Sequence, residues 1–207
     1  MEKKPANKAP GGVSRRDFMK GIGSGALGTA VLAPLRGQTI ATKKGRVPVY
    51  ERKTITVTVN GKRIDLAVEA NETLLDALRD RLDLTGAKKV CDRGECGGCT
   101  VLLDGAPVYA CMTLAVRADG KSVKTVEGLA EGAKLHPVQA AFIEKDGYQC
   151  GFCTPGFLMT TSAFLAKNPA PSLDEIKQAL SGNLCRCGNY AKIYQAVDAA
   201  AKKMKGA

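Results

Sequence analysis

The stretch VCDRGECGGCT, residues 90–100, places Cys91, Cys96 and Cys99 within nine positions and separates them with charged residues and glycine. Its flanks differ in period. On the N-terminal side, Glu72 to Leu82 carries Leu74, Leu75, Leu78 and Leu82 at helical spacing, which predicts one apolar stripe packed on a neighbour. On the C-terminal side, TVLLDG reads as a strand that turns at Asp104-Gly105. The thiols therefore sit on a loop between a helix and a sheet. Gly94, Gly97 and Gly98 let that loop wrap closely and aim successive backbone N–H groups inward, as a nest for negative charge.

Further outward, TITVTV (residues 54–59) and RIDLAVE (residues 63–69) alternate strictly around Asn60-Gly61, the strongest local sign of a two-residue hairpin. Ile64, Leu66 and Val68 share one face. With short strands through SVKTV, these pieces form an α+β unit over residues 54–129. The period then changes to 3.6. Pro137–Lys145 puts Val138, Ala141 and Phe142 on one face, and Gly156–Lys167 does so with Phe157, Thr161 and Leu165 until Asn168-Pro169 stops it. Ser172 and Glu175 form a capping-box start ahead of Ile176, Ala179 and Leu180. The last helix, Tyr190 to Lys205, shows Ile193, Ala196, Val197 and Ala200. Four short helices over 130–207 read as a bundle too small to be secure without a staple.

The eight cysteines divide four and four between these units. Cys91, Cys96, Cys99 and Cys111 have the C-x4-C-x2-C and distant Cys spacing of plant-type 2Fe-2S ferredoxins. Cys150, Cys153, Cys185 and Cys187 read C-x2-C and then C-x-C, for which a four-thiolate zinc site competes with a cluster. In an exported chain, four disulfides are a third reading of an even cysteine count. No acid–base or nucleophilic machinery stands out: His136 is the only histidine, and its place before Pro137 suits a helix cap or a surface position.

The net charge of +11 invites a nucleic-acid reading, but its distribution argues against it. From Thr54 onward, 19 Lys and Arg face 17 Asp and Glu, and with no Trp and 5% aromatics there is no stacking surface. The excess lies in the N-terminal segment. There SRRDFMK, Ser14 to Lys20, precedes an uncharged run from Gly21 to Leu35. Paired arginines before a short apolar run match a twin-arginine export signal over 1–36, followed by a basic linker over 37–53. The run is too short and too rich in glycine to span a membrane. The expected location is the periplasm. Lys88, Lys89 and Arg93 read as a solvated basic loop beside the first cysteines, able to guide an acidic partner.

CDRGECGGCT, QCGFCTPG and GNLCRCGNY, in this order, resemble the iron–sulfur small subunit of the molybdenum hydroxylases, the family of xanthine oxidase, aldehyde oxidase and carbon monoxide dehydrogenase. The likeness covers about residues 54–205. With the paired arginines it points most to small subunits of periplasmic aldehyde oxidoreductases. It implies an N-terminal β-grasp, ferredoxin-like 2Fe-2S domain followed by a four-helix-bundle 2Fe-2S domain. Carried over by position, Cys91, Cys96, Cys99 and Cys111 would hold an exposed, distal cluster. Cys150, Cys153, Cys185 and Cys187 would hold a buried one nearer molybdenum, with Gln149 and Cys187 beside the pterin. The resemblance further implies a heterotrimer with a large molybdenum-binding catalytic subunit and a flavin (FAD) subunit or c-type cytochrome as acceptor. Its substrate would be an aldehyde, or otherwise an N-heterocycle, a purine or carbon monoxide. One departure is CRCGNY, where many relatives read CRCTGY; Gly188 is expected to allow the same tight turn.

Overall fold

Asn60 and Gly61 both adopt left-handed backbone conformations, φ 49° and 81°, as the expected hairpin turn requires. They join β1 (Lys53–Val59) to β2 (Lys62–Val68) in an antiparallel pair that sets Val57 opposite Ile64. The computed structural model describes residues 52–205. The expected export segment and nearly all of the expected linker lie outside these residues. Ile55, Val57 and Val59 are buried while the threonines between them are not, so β1 presents one face to the core.

The leucine-rich segment begins as α1 (Leu74–Asp76), capped by Thr73, whose hydroxyl accepts from the Asp76 N–H. It then widens into a π-helical turn over Ala77–Arg81, which a 3.6 period does not foretell. From the middle of that turn the Arg79 guanidinium donates to the carbonyls of Thr85 and Ala87, both at 2.8 Å, and so steers the chain into the cysteine loop. A second hairpin of the same kind, with Asp104 and Gly105 at φ 49° and 81°, joins β3 (Thr100–Leu103) to β4 (Ala106–Tyr109). Then β5 (Ser122–Lys124) enters between β1, which it pairs in parallel, and β3, which it pairs antiparallel. The mixed sheet runs β2-β1-β5-β3-β4.

Four helices follow: α2 (Pro137–Glu144), α3 (Thr154–Lys167), α4 (Leu173–Ala179) and α5 (Tyr190–Lys205). His136 caps α2. Its Nδ1 accepts from the Val138 N–H at 3.3 Å, while its own N–H donates to Gln139. Ser172 and Glu175 form the expected reciprocal box at the start of α4. The expected faces of α2, α3 and α5 are buried, but α3 is covered on more sides than its stripe suggests, with Gly156, Leu158, Met159 and Ala163 also inside. The cause is its position. α3 lies between the sheet and the other helices, and Leu102 of β3 and Leu129 join Phe142, Phe157, Ile176 and Ile193 in one apolar cluster. Each fully buried side chain of this size contributes about 1.5–3 kcal/mol relative to an exposed one. A second cluster, with Val57, Leu75, Leu78, Val101 and Val123, fills the space between α1 and the sheet. Among the described residues no helix is long and apolar enough to cross a membrane.

Candidate metal centres

The loop after α1 carries Cys91, half-buried, and Cys96 and Cys99, buried; the short 3-10 turn Ala110–Met112 brings buried Cys111 to them. Cys99 and Cys111 sulfurs lie 3.3 Å apart, and the Cys91 and Cys96 thiols are hydrogen-bonded to each other. Burial pushes the Cys91 thiol up, but the N–H groups of Arg93, Glu95 and Cys96 and the Cys96 thiol outweigh it and bring it to about 7. Burial drives Cys99 the other way, to about 12, helped by its contact with Cys111 and by the charges of Cys111 and Cys96. Thiols crowded like this cannot all ionise unless cations sit among them.

The basic residues of this loop are tied to it. Lys89 bridges Asp76 at 2.8 Å and Asp92 at 3.4 Å, Lys88 donates to the Thr85 carbonyl, and Arg93 donates to the Cys91 carbonyl.

The second set gathers at the start of α3 and the turn before α5. Cys153 stands at the N-cap of α3, Cys185 is buried, and Cys150 and Cys187 are exposed. Gly151 and Gly188, at φ 82° and 73°, make the two tight turns, the latter as expected. The Cys185 N–H donates to the Tyr190 hydroxyl at 2.9 Å, and the Tyr190 ring packs edge-on against Phe157. Cys150 is hydrogen-bonded to Cys187, and Cys153 to Cys185. Burial and the Cys185 thiol raise Cys153 to about 12, while the Phe152 N–H and the Cys187 thiol lower Cys150. Gln149 is exposed, with its amide 3.4 Å from Asn189, which in turn donates to the Asp146 carbonyl at 2.8 Å. Asn189 follows Gly188 in the turn, and its side-chain oxygen accepts from Gln149.

Each set thus consists of two pairs. Among the described residues no three His, Cys, Asp or Glu side chains converge on one point. Two pairs of thiols suit a 2Fe-2S cluster, whose two irons share four cysteine ligands.

The sets also meet. The Leu184 N–H, next to Cys185, donates to the Cys96 carbonyl at 2.9 Å. A small apolar cavity of about 90 Å³ between them is lined by Val90, Cys96, Cys150, Phe152, Cys153 and Leu184. A wider cleft of about 440 Å³ beside Glu144, Lys145, Lys202 and Lys203 contains none of the cysteines.

Residues 57–128 match the 2Fe-2S iron-sulfur cluster binding domain family and residues 125–198 the 2Fe-2S binding domain family. The chain is 41% identical to the aldehyde oxidoreductase iron-sulfur-binding subunit PaoA of Escherichia coli K12, over 93% of this chain and 90% of PaoA. It belongs to the iron–sulfur small subunits of the molybdenum hydroxylases. As such a subunit it has two 2Fe-2S-binding domains, one ferredoxin-like and one helical, and serves electron transfer. Another small subunit of the family, that of nicotine 6-hydroxylase from Paenarthrobacter nicotinovorans, is 52% identical over 71% of this chain and 88% of its own length. A chain of quinoline 2-oxidoreductase from Pseudomonas putida 86 superposes with a TM-score of 0.73 at 47% identity, covering 75% of this chain and 98% of that one.

The structure places Cys91, Cys96, Cys99 and Cys111 on the sheet side and Cys150, Cys153, Cys185 and Cys187 on the helical side, each set as two hydrogen-bonded pairs, and Gln149, next to Cys150, is exposed. Sequence reasoning missed Tyr109, Asn183 and Leu184, which join the two sets. Asn183 and Leu184 fall within the quoted GNLCRCGNY, whereas nothing local singled out Tyr109.

Proposed function

We propose that Cys91, Cys96, Cys99 and Cys111 hold one 2Fe-2S cluster, and that Cys150, Cys153, Cys185 and Cys187 hold the other. On this reading the division falls at residues 129 and 130, and the chain relays single electrons from a molybdenum–pterin site on a large partner subunit. The helical set receives and the sheet-side set delivers, to a flavin subunit or a c-type cytochrome. The clusters, when bound, supply reversible one-electron chemistry. The chain's own residues fix where they sit: the paired thiols bind, the N–H groups of Arg93, Glu95 and Cys96 soften the negative charge at Cys91, and Leu102, Phe157 and their neighbours keep water out. The observation that carries the reading is the 2.9 Å hydrogen bond from Leu184 to Cys96, which leaves one non-covalent step between the backbones of Cys185 and Cys96. That Gln149 and Cys187 face the pterin of a partner is part of the same proposal, supported by the exposure of both.

We further propose export by the twin-arginine route and a periplasmic location. Ser14–Lys20 supports this, and the match to PaoA covers more of the chain than residues 52–205 make up, so it extends into the N-terminal segment. That extended match favours an aldehyde substrate. An N-heterocycle is the second reading, favoured by the higher identity of the folded part to the nicotine 6-hydroxylase subunit and the quinoline 2-oxidoreductase chain.

The test is iron, acid-labile sulfide and co-purifying molybdenum, measured on protein taken from its native host without chelators. About four iron and four sulfide per chain, with molybdenum on a larger partner, is the expected result. Iron near zero with zinc or disulfides in its place would end the relay reading.

A further inference from the structure

Three consecutive residues of the turn after α4 reach across to the sheet side. The Gly182 carbonyl accepts from the Tyr109 hydroxyl at 3.0 Å, the Asn183 amide donates to the Gly97 carbonyl at 3.2 Å, and Leu184 bonds Cys96 as described. Asn183 is buried, and the Gly97 carbonyl it meets also accepts from the N–H and hydroxyl of Thr100. The fit is close. A Cβ on Gly182 would lie 2.2 Å from the Tyr109 hydroxyl, and one on Gly97, already at φ 66°, would lie 2.5 Å from both the Gly182 carbonyl and the Asn183 amide. On its other side the turn is fastened to α4 through Asn183 N–H to the Leu180 carbonyl, 2.9 Å. Cys185 follows immediately.

We propose that Tyr109 and Asn183 are positioning residues that set the separation of the two clusters, and through it the rate of electron passage. The inference rests on the relay reading above. Tyr109 stands two residues before Cys111, so its hydroxyl ties the segment of one cysteine set to the segment of the other. Asn183 does the same by gripping Gly97, the residue after Cys96. Neither side chain binds metal, and both bonds end on backbone carbonyls whose positions follow the cysteines. Loss of the Tyr109 hydroxyl removes one of three crossing bonds and leaves cluster ligation intact. Detachment of the turn is then expected to rise about fivefold, the Boltzmann factor of one net hydrogen bond.

The test uses the full chain with its clusters, comparing wild type with Tyr109→Phe. Iron and sulfide are expected to be unchanged. Hydrogen exchange in the peptide containing Leu184 should quicken about fivefold, and the magnetic interaction between the two reduced clusters in the electron paramagnetic resonance spectrum should weaken. Thr73→Ala, which removes the α1 cap in the sheet half, provides a general loss of stability that should move neither readout. Gly182→Ala supplies a second, independent arm. In the wild-type background its Cβ collides with the hydroxyl, whereas in Tyr109→Phe the nearest measured ring atom is Cζ at 3.6 Å, an ordinary contact, so its penalty should largely vanish. Unchanged exchange and magnetic interaction in Tyr109→Phe, or an equal Gly182→Ala penalty in both backgrounds, would overturn the positioning role while leaving the relay standing. Wild-type protein without iron would overturn the relay itself.

Discussion

Three of the four cysteines on the sheet side are buried, whereas Cys150 and Cys187 of the helical set stand at the surface. The sheet-side loop is closed by its own chain: Lys88 bonds Gly98, Ala110 bonds Cys99, and the 182–184 turn covers Cys96 and Gly97. The helical set is built from one helix start and one turn, and around it Tyr148, Phe152 and Leu184 remain exposed, Phe152 by 56%. The family resemblance implies a buried helical cluster beside molybdenum, an arrangement that involves a partner chain as well as this one. A chain can complete one cluster's shelter alone and leave the other's to its assembly. On the proposed relay, the shelter for Cys150 and Cys187 comes from the large subunit.

The strongest test of that contrast is to remove one set and watch the other. Cys153→Ser with Cys185→Ser should lower iron from about four to about two per chain and stop electron delivery to a dye acceptor. The sheet-side absorption should persist; loss of all iron would mean the sets are not separately built. Next in size, Gly156→Ala drives a Cβ to 2.1 Å from the Gly97 carbonyl, where α3 meets the cysteine loop. A loss of about 1–3 kcal/mol is expected from such overpacking, seen as a lower urea midpoint. A smaller effect, about 1 kcal/mol, is expected on the helical side alone when Ser172→Ala removes the α4 capping box, checked the same way.

Acid should separate the halves by pH. Burial, with the charge of Lys124 opposed by Glu131, holds His136 below its ordinary value of 6.5. Its contribution at the α2 cap is present above that value and lost as pH falls below it, because the unfolded chain then takes up a proton that the folded histidine resists. On the sheet side burial raises Asp76, but Lys89 and Thr73 outweigh it and hold the carboxyl below 3.8. The stabilisation from Asp76 is therefore lost only under stronger acid. Hydrogen exchange should loosen at α2 before α1 as pH is lowered, and the opposite order would refute the assignment. Smallest of all, Lys203→Ala breaks an exposed pair with Glu144 and should leave the urea midpoint unchanged.

Local chemistry made much of this fold legible in the sequence. Asn60-Gly61 and Asp104-Gly105 each make the turn their residue types favour, and Ser172, Glu175 and His136 cap where their neighbours predict. The four-and-four division of cysteines follows from their positions along the chain. What escaped reading was non-local. The parallel pairing of β5 with β1 leaves no periodic mark, and the burial of α3 on extra sides arises from its place between sheet and helices. Tyr109 reads as an ordinary strand tyrosine until Gly182, 73 residues away, is seen beneath its hydroxyl.

The bond between Asn183 and Gly97 spans 86 residues. A ribosome releases Cys91, Cys96, Cys99 and Cys111 long before it releases Asn183, so the sheet-side loop emerges without the amide that completes it. Contacts of such long range form late, after the intervening chain has paid its closure entropy. The nascent chain therefore carries all four sheet-side cysteines before the amide that closes their loop exists, and on the proposed cluster assignment that interval is open to iron and sulfide.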